Sequence, residues 1–353
     1  MSVARSGPLP RVPAAILRPL SWGYRAAVGA RNAVYDRLGA GAALGRPTIS
    51  IGNVVAGGTG KTPVTAWIAR RLIAAGHRPL IALRGYASAA DPERSDEALE
   101  YRELLPQTPL AIGADRRRAI ASIDRATFDV VLLDDAFQHR RLRRDLDLVL
   151  VDATRPSLED ALLPCGWLRE PATALRRADA VIVTRAKATG GALADRIAML
   201  HGRPPIAWLR HVWRRLAMHA PTGRCELLPL DWLRGRRVAV CAGVGNPAAF
   251  FEQLEASGAL IAAQVPARDH QRFDEAFLRG LEGHLGGARP RGADGGVDAL
   301  VVSRKDWVKL RAADWARLGA PVAVPELEIE PIEGEEALAQ IVLAAAQRSA
   351  GRE

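Results

Sequence analysis

Short apolar runs recur along the first half of the chain and alternate with longer segments of mixed polarity. Runs with so few polar residues are typical of strands buried on both faces of a parallel sheet. Strands are predicted at residues 47–51, 79–83, 109–112, 128–133, 146–151 and 179–184. Because the intervening segments suit helices, we predict an α/β fold with a doubly wound, mostly parallel sheet. Ligands of such sheets bind beyond the strand C-termini, which directs attention to the residues after Ile51, Leu83 and Leu133.

A second set of apolar runs follows after a change in character. Residues 206–236 contain three tryptophans and many arginines around Pro221-Thr222-Gly223, and we interpret them as a crossover between domains. Further strands are predicted at residues 237–242, 259–264, 298–303 and 321–324. We therefore expect a core domain over residues 41–215 and a smaller α/β domain over residues 216–353.

The N-terminal segment has the periodicity of a helix. Between residues 13 and 40, apolar positions roughly follow a 3.6-residue period, which predicts an amphipathic helix. Aromatic and basic residues share this segment: Trp22, Tyr24 and Tyr35 with Arg18, Arg25, Arg31 and Arg37. Such a helix can lie in a membrane interface, and residues 1–40 form our candidate membrane-associating region. The alternative is a helix that packs on its own domain.

Composition narrows the class of protein. With 353 residues, of which 48% are hydrophobic and 25% charged, the chain can bury a sizeable core. The net charge of +10 suits nucleic acid, anionic lipid or a phosphorylated substrate, although a general preference for arginine also produces it. Three cysteines without metal or redox spacing argue against a disulfide framework. That pattern is compatible with the cytoplasm. No segment is apolar enough to span a bilayer, and no signal peptide is evident.

A glycine-rich segment joins the first predicted strand to a helix. Residues 57–62 read Gly-Gly-Thr-Gly-Lys-Thr, a pattern that predicts a phosphate-binding loop. Together with the doubly wound sheet, this loop predicts a P-loop NTPase-like α/β fold. The chain has only four lysines among 49 basic residues, which indicates that Lys61 is present for its compact ammonium group. Thr62 would ligate Mg²⁺. Val55 stands where the usual pattern has glycine. The candidate nucleotide-binding residues are Val55, Ala56, Gly57, Gly58, Thr59, Gly60, Lys61 and Thr62.

Two pairs of acidic residues are candidates for catalysis or metal binding. Asp134-Asp135 ends an apolar strand, which after a phosphate loop is typical of a Mg²⁺ partner, although aspartate also caps helices. Gln138-His139 follow within one helical turn and can point back to the same site. By itself, Ser95-Asp96-Glu97 indicates only the start of a helix.

Several motifs together resemble one family, the tetraacyldisaccharide 4′-kinases of lipid A biosynthesis. Most specific are the phosphate loop with its non-glycine first position and the Asp-Asp-x-Phe-Gln-His run. The matching stretches are residues 52–63, 84–86, 96–97, 113–116, 134–142, 163–166, 168–171, 242–247, 269–270 and 305–306. Leu83, Ser95, Ala136 and Cys165 depart from the family pattern without removing a charged group.

The resemblance implies roles for individual residues. Asp96 is the expected base for the sugar hydroxyl, with His270 as its partner and Lys61 on the phosphates. The predicted boundary places Asp96 and His270 in different domains. We therefore expect the smaller domain to close over the substrate during the reaction. The implied Mg²⁺ ligands are Thr62, Glu97, Asp134, Asp135 and Gln138, and the implied substrate contacts are Arg84, Tyr86, His139 and Arg169.

The resemblance also implies substrates and a location. ATP and Mg²⁺ would serve to phosphorylate the 4′-hydroxyl of an acylated disaccharide 1-phosphate, giving lipid IVA. Such a lipid stays in the bilayer, so a peripheral position on the cytoplasmic face of the inner membrane is expected. Neither a nucleic-acid partner nor an obligatory protein partner is expected.

Other phosphate-loop proteins remain as alternatives. One is a kinase of a soluble small molecule. Another is a switch NTPase or metallochaperone, which would need an Asn-Lys-x-Asp motif where this chain has residues 183–186, Val-Thr-Arg-Ala. No nucleic-acid recognition module is evident.

Overall fold

Strands and helices alternate along the chain in the order that the apolar runs predict. The computed structural model describes residues 8–9, 12–39, 41–85, 95–267, 273–285 and 296–348. The helices are α1 (Ala14–Leu38), α2 (Lys61–Ala74), α3 (Asp96–Leu104), α4 (Arg116–Ala121), α5 (Gly191–His201), α6 (Pro247–Ala256), α7 (Glu275–Leu285), α8 (Arg304–Leu310) and α9 (Glu335–Ala346). The strands are β1 (Thr48–Asn53), β2 (Pro79–Leu83), β3 (Leu110–Ile112), β4 (Val130–Asp134), β5 (Leu146–Asp152), β6 (Ala180–Thr184), β7 (Ala207–His219), β8 (Cys225–Pro229), β9 (Arg237–Cys241), β10 (Leu260–Val265), β11 (Ala299–Val302) and β12 (Val322–Glu333).

The chain forms two units. Unit 1 comprises residues 1–84, 105–210 and 329–353, and unit 2 comprises residues 85–104 and 211–328. Strands β7 and β12 each contribute residues to both units.

Unit 1 is built on a parallel sheet in which β1 is central. The strand order is β7-β6-β5-β1-β4-β2-β3, and β1 pairs in parallel with β4 on one side and β5 on the other. Every residue of β1, β2, β4, β5 and β6 is buried, as the nearly continuous apolar runs predict. The strand order reverses beside β1, so the loop after β1 lies at the topological switch point where α/β sheets bind ligands. The predicted fold class is confirmed.

Unit 2 contains a smaller parallel sheet of β10, β9, β11 and β12. Alternate residues of β9 and β11 enter two different core clusters. Ala239, Cys241, Leu300 and Val302 belong to one cluster, and Val238, Val240, Ala299 and Val301 belong to the other. This alternation is the period-two side-chain pattern of a strand packed on both faces.

The sequence predicted a single domain boundary near residue 215. The two observed units depart from that division at two helices. Helix α3 belongs to unit 2, where Glu103 pairs with Arg304 and with Arg311 beyond the end of α8. Helix α9 belongs to unit 1, where it buries Leu338 and Val342. Both departures arise because these helices pack on elements distant in sequence. The premise that Asp96 belongs to the phosphate-loop domain therefore does not hold.

Residues 206–236, interpreted from the sequence as a crossover between domains, pass from unit 1 to unit 2 after Arg210. They include the thirteen-residue strand β7 and its antiparallel partner β8. Apolar residues of β7 are buried, while three of its arginines pair with glutamates of β12. The ion pairs are Arg210–Glu330, Arg214–Glu328 and Arg215–Glu326. Opposite charges on neighbouring strands thus explain the arginines that obscured the strand pattern.

Helix α1 confirms the predicted N-terminal helix and packs on unit 1 through one face. Ser21 donates to the Leu162 carbonyl over 2.8 Å, and Tyr24 donates its hydroxyl to the Arg169 carbonyl over 3.0 Å. Arg31 pairs at 3.1 Å with Glu170, whose side chain is completely buried. Among the described residues, no helix combines the length and apolar composition needed to cross a bilayer.

Candidate active site

The glycine-rich loop runs from the end of β1 to the start of α2. Gly60 caps α2 with φ 84°, the left-handed region that glycine adopts without strain. Lys61 and Thr62 are the first two residues of α2. The first backbone N–H groups of a helix have no partners within the helix, and together with the helix dipole they attract anions. The loop thus presents a lysine and a hydroxyl at a position suited to phosphates.

The ends of neighbouring strands hold the loop in place. Asn53, the last residue of β1, donates its amide to the Thr59 hydroxyl over 2.9 Å. Thr184, the last residue of β6, donates its hydroxyl to the Thr59 carbonyl over 2.8 Å. Arg185 donates to the Gly58 carbonyl over 2.8 Å and also pairs with Asp152 at the end of β5. Thr184 and Arg185 thus hold the phosphate loop through its backbone carbonyls.

Val55 has a structural reason to differ from glycine. Its backbone forms an antiparallel bridge with Leu168, and its side chain is buried in the core of unit 1. The flanking bonds run from Ala56 N–H to the Trp167 carbonyl (2.7 Å) and from Arg169 N–H to the Val54 carbonyl (2.8 Å). An extended, buried position favours a β-branched side chain. The same pairing brings Arg169 beside the loop.

Asp135 lies between two cations. Its carboxylate is 3.5 Å from the Lys61 Nζ atom and accepts bonds of 3.0 and 2.9 Å from the Arg169 guanidinium. Burial alone would raise the pKa of Asp135, but Lys61 and Arg169 outweigh burial and hold it well below its usual range. Asp135 has φ 48°, unusual for a non-glycine residue, and Arg116 donates to its carbonyl and to that of Asp134.

The loop after β4 packs closely on β1. A Cβ on Gly52 would lie 2.6 Å from the Phe137 Cβ, so only glycine allows this approach. Gln138 donates its amide to the Asn53 carbonyl over 2.9 Å. The remaining amide oxygens, Asn53 Oδ1 and Gln138 Oε1, are buried and have no hydrogen-bond partner among the described residues.

The residues around the loop fit a magnesium ion. Asp134 is buried at the end of β4, and Thr62 and Gln138 add a hydroxyl and an amide oxygen. Mg²⁺ prefers such oxygen donors and usually keeps several waters, so few protein ligands suffice. Within the described ranges, no three residues among His, Cys, Asp and Glu cluster as a metal site. Asp135 instead faces Lys61 and Arg169, and its role as a ligand stays a prediction.

Several arginine side chains lie near His139 and make its surroundings positively charged. Burial lowers the pKa of His139 to about 4, and Arg116, Arg141, Arg144 and Arg84 lower it further. The imidazole is therefore neutral at pH 7, and the arginines supply the charge. Arg84 is exposed beyond the end of β2, where it suits a phosphorylated substrate. Tyr86, the remaining predicted substrate residue, lies outside the described residues.

The predicted base lies in unit 2. Asp96 is the first residue of α3, as its sequence context indicated, and only 9% of its side chain is exposed. Lys309 of α8 lies 3.4 Å from it, measured from Nζ to Oδ2. Sequence reasoning missed Lys309, although it is one of the four lysines that already drew attention to Lys61. Glu97 follows on α3, while His270 lies outside the described residues.

Comparison with known proteins agrees with these motifs. The family described as LpxK, tetraacyldisaccharide-1-P 4′-kinase, matches residues 13–347. The chain belongs to this family. That match covers Lys61, Asp96, Asp135 and Lys309 and confirms the resemblance found in the sequence.

Relatives and a solved structure extend over most of the chain. A tetraacyldisaccharide 4′-kinase of Geobacter sulfurreducens is 38% identical over 307 residues, covering 82% of this chain and 81% of its own length. One from Anaeromyxobacter dehalogenans strain 2CP-C is 35% identical over 360 residues, covering 95% and 91%. The crystal structure of LpxK from Aquifex aeolicus in complex with ATP has a TM-score of 0.68 at 25% identity, covering 94% of this chain and 99% of that one.

Proposed function

We propose that the protein transfers the γ-phosphoryl group of ATP to the 4′-hydroxyl of a tetraacyldisaccharide 1-phosphate, giving lipid IVA in lipid A biosynthesis. The observation that carries the proposal is the family match over residues 13–347, which includes the phosphate loop and both acidic pairs. The lysine at the start of α2 supports a phosphoryl transfer rather than a purely structural role for that loop.

In this proposal, unit 1 binds the nucleotide. Lys61 neutralises charge on the transferring phosphoryl group, and the Asp135–Arg169 pair fixes where its ammonium group lies. Thr62, Asp134 and Gln138 would hold Mg²⁺, which when bound stabilises charge on the phosphate oxygens. The proposed ligand role of Glu97 rests on the resemblance alone.

Unit 2 supplies the proposed base. The Asp96 carboxylate accepts the proton of the 4′-hydroxyl as the oxygen attacks the γ-phosphorus. A new O–P bond forms, the bond from the γ-phosphorus to the bridging oxygen breaks, and ADP leaves with that electron pair. His270 remains the proposed partner of Asp96.

We further propose that α1 brings the enzyme to the cytoplasmic face of the inner membrane. Ile16, Leu20, Val34 and Leu38 are more than half exposed and recur at spacings that place them on one stripe of the helix. Trp22 is 70% exposed on another side, near the exposed Arg18 and Arg25. Exposed apolar side chains favour a lipid surface, and basic residues elsewhere on the same helix favour anionic headgroups.

The test is direct phosphorylation of the lipid. Purified protein is incubated with ATP, Mg²⁺ and the tetraacyldisaccharide 1-phosphate, and the product is analysed by mass spectrometry and phosphorus NMR. We expect a new phosphate at the 4′-position and a loss of roughly 10²–10⁴-fold in turnover for Asp96→Asn. Reactions with GTP, and with a soluble disaccharide acceptor, probe the alternatives. Preference for GTP or for the soluble acceptor, or no 4′-phosphate at all, would refute the proposal.

A further inference from the structure

Lys309 links the proposed base to a buried carboxylate. Its Nζ atom lies 3.4 Å from Asp96 Oδ2 and 3.1 Å from Asp306 Oδ1, and all three residues belong to unit 2. The exposed fractions of the side chains are 11% for Lys309, 9% for Asp96 and 0% for Asp306. Both separations are those of ion pairs. A buried ammonium group requires such compensation by an anion.

Asp306 is rigidly held, and it fixes the position of the lysine. Its Oδ2 atom accepts a bond of 2.8 Å from the Gly243 N–H and one of 2.6 Å from the Ser303 hydroxyl. Its Oδ1 atom faces Lys309. The Phe273 ring centroid lies 5.3 Å from the Lys309 Nζ atom, a cation–π distance, so an aromatic ring also borders the ammonium group. Asp306 and the Phe273 ring thus both border the ammonium group that pairs with Asp96.

The charges explain why one lysine faces two carboxylates. A single cation beside Asp96 would keep it ionised but would also weaken it as a proton acceptor. The Asp306 carboxylate offsets that charge, so the three groups together carry one negative charge when all are ionised. When Asp96 takes up a proton, the cluster becomes neutral, and no new buried charge is created.

We propose that Lys309 is a positioning residue for Asp96: it holds the ionised carboxylate in one orientation, and Asp306 anchors the lysine. The inference rests on the proposed function, because it needs Asp96 to be the base.

The simpler explanation is that Lys309 only attaches α3 to α8. The chain offers a matched control for it. Glu103, also on α3, pairs with Arg304 of α8 and with Arg311 just beyond it. Glu103→Gln therefore weakens the attachment of the same two helices without touching Asp96.

The experiment compares five variants: Lys309→Met, Lys309→Met/Asp306→Asn, Glu103→Gln, Asp96→Asn and Asp96→Asn/Lys309→Met. Because Lys309→Met leaves Asp306 buried without its cation and can unfold the chain, the Lys309→Met/Asp306→Asn variant removes both charges. Thermal unfolding verifies folding, and steady-state kinetics give kcat and the KM for ATP.

We expect Lys309→Met/Asp306→Asn to lower kcat by roughly 10²-fold, the typical cost of a misplaced catalytic group, with the KM for ATP unchanged. Glu103→Gln should keep kcat near that of the native protein. In the Asp96→Asn background, Lys309→Met should cause no further loss, because the residue it positions is already disabled.

Three results would overturn the inference. They are a normal kcat in folded Lys309→Met/Asp306→Asn, an equal loss in Glu103→Gln, and a Lys309→Met defect that multiplies with that of Asp96→Asn. If Asp96→Asn itself keeps full activity, the base assignment of the proposed function fails, which is a distinct result from the other three.

Discussion

At the scale of single residues, one carboxylate, that of Asp135, holds the phosphate loop through two ion pairs. Asp135 pairs with Lys61 at the start of α2 and with Arg169 beside Val54. A half-buried carboxylate paired with two cations has little freedom to move, so the Lys61 ammonium group stays near the helix N-terminus. Preorganised charge of this kind lowers the cost of stabilising a transition state.

Lys61→Ala tests this assignment. We expect kcat to fall by roughly 10²–10³-fold, as for the loss of one preorganised electrostatic contact, while the fold is retained. Lys187→Ala is the matched control, because Lys187 is an exposed lysine of the same unit. Turnover is measured with ATP and the lipid acceptor, and folding by circular dichroism. A folded Lys61→Ala protein with near-native turnover would contradict the phosphate-loop assignment.

His139 predicts a pH dependence of stability. Its pKa is lowered to about 4 by burial and by neighbouring arginines, whereas an unfolded chain has a pKa of about 6.5. Between these values the unfolded state binds a proton that the folded state does not. The free energy of unfolding should therefore decrease as the pH falls from about 6.5 towards 4.

The corresponding variant is His139→Gln, which cannot titrate. Urea unfolding is measured at about pH 7.5 and pH 5 for both proteins, and the variant should lose less stability between them. An identical loss in the two proteins would show that His139 does not contribute to the pH dependence.

At the scale of elements, α1 combines the two interpretations that the sequence left open. Tyr24 and Arg31, proposed from the sequence as interface residues, instead join α1 to Arg169 and Glu170. The exposed apolar stripe of α1 and Trp22 are the part of the helix that we propose contacts the membrane. Because Tyr24 donates to the Arg169 carbonyl and Arg169 pairs with Asp135, α1 is connected by two contacts to a residue of the phosphate site.

Leu20→Ser/Leu38→Ser tests the membrane role without disturbing the docked face. Each buried methylene contributes about 0.8 kcal/mol to membrane binding, so vesicle affinity should decrease measurably. Leu227→Ser/Leu260→Ser is the matched control, since these leucines of unit 2 are similarly exposed. Co-sedimentation with vesicles containing anionic lipid and ATP affinity are both measured. Unchanged sedimentation of the α1 variant, or an equal decrease in the control, would show that the stripe does not contact lipid.

At the scale of the whole molecule, the chain passes between its two units more often than a single boundary allows. Residues 85–104 leave unit 1 to place α3 in unit 2, and residues 329–353 return to unit 1. The last helix completes the first unit, with Arg71 of α2 paired to Glu335 of α9. Asp96 thereby shares a unit with Asp306 and Lys309, although it precedes most of unit 1 in the sequence.

The sequence alone determined the features that depend on local pattern. Continuous apolar runs located β1 to β6 and β9 to β11 to within about two residues. For β1, β2, β4, β5, β6 and β11 the reason is burial on both faces, which excludes polar side chains. Glycines, Lys61 and the paired aspartates located the phosphate loop and the end of β4. Motif order along the chain identified the family.

Only the tertiary structure decided what depends on residues distant in sequence. Strand β7 escaped prediction because its arginines are paired by glutamates of β12. The membership of α3 follows from its packing on α8, and the pairing of Asp135 follows from the bridge that brings Arg169 to the loop. Periodicity reports whether a residue is buried, but not which residue lies against it. The partner of Asp96 therefore became visible only when α3 and α8 were placed together.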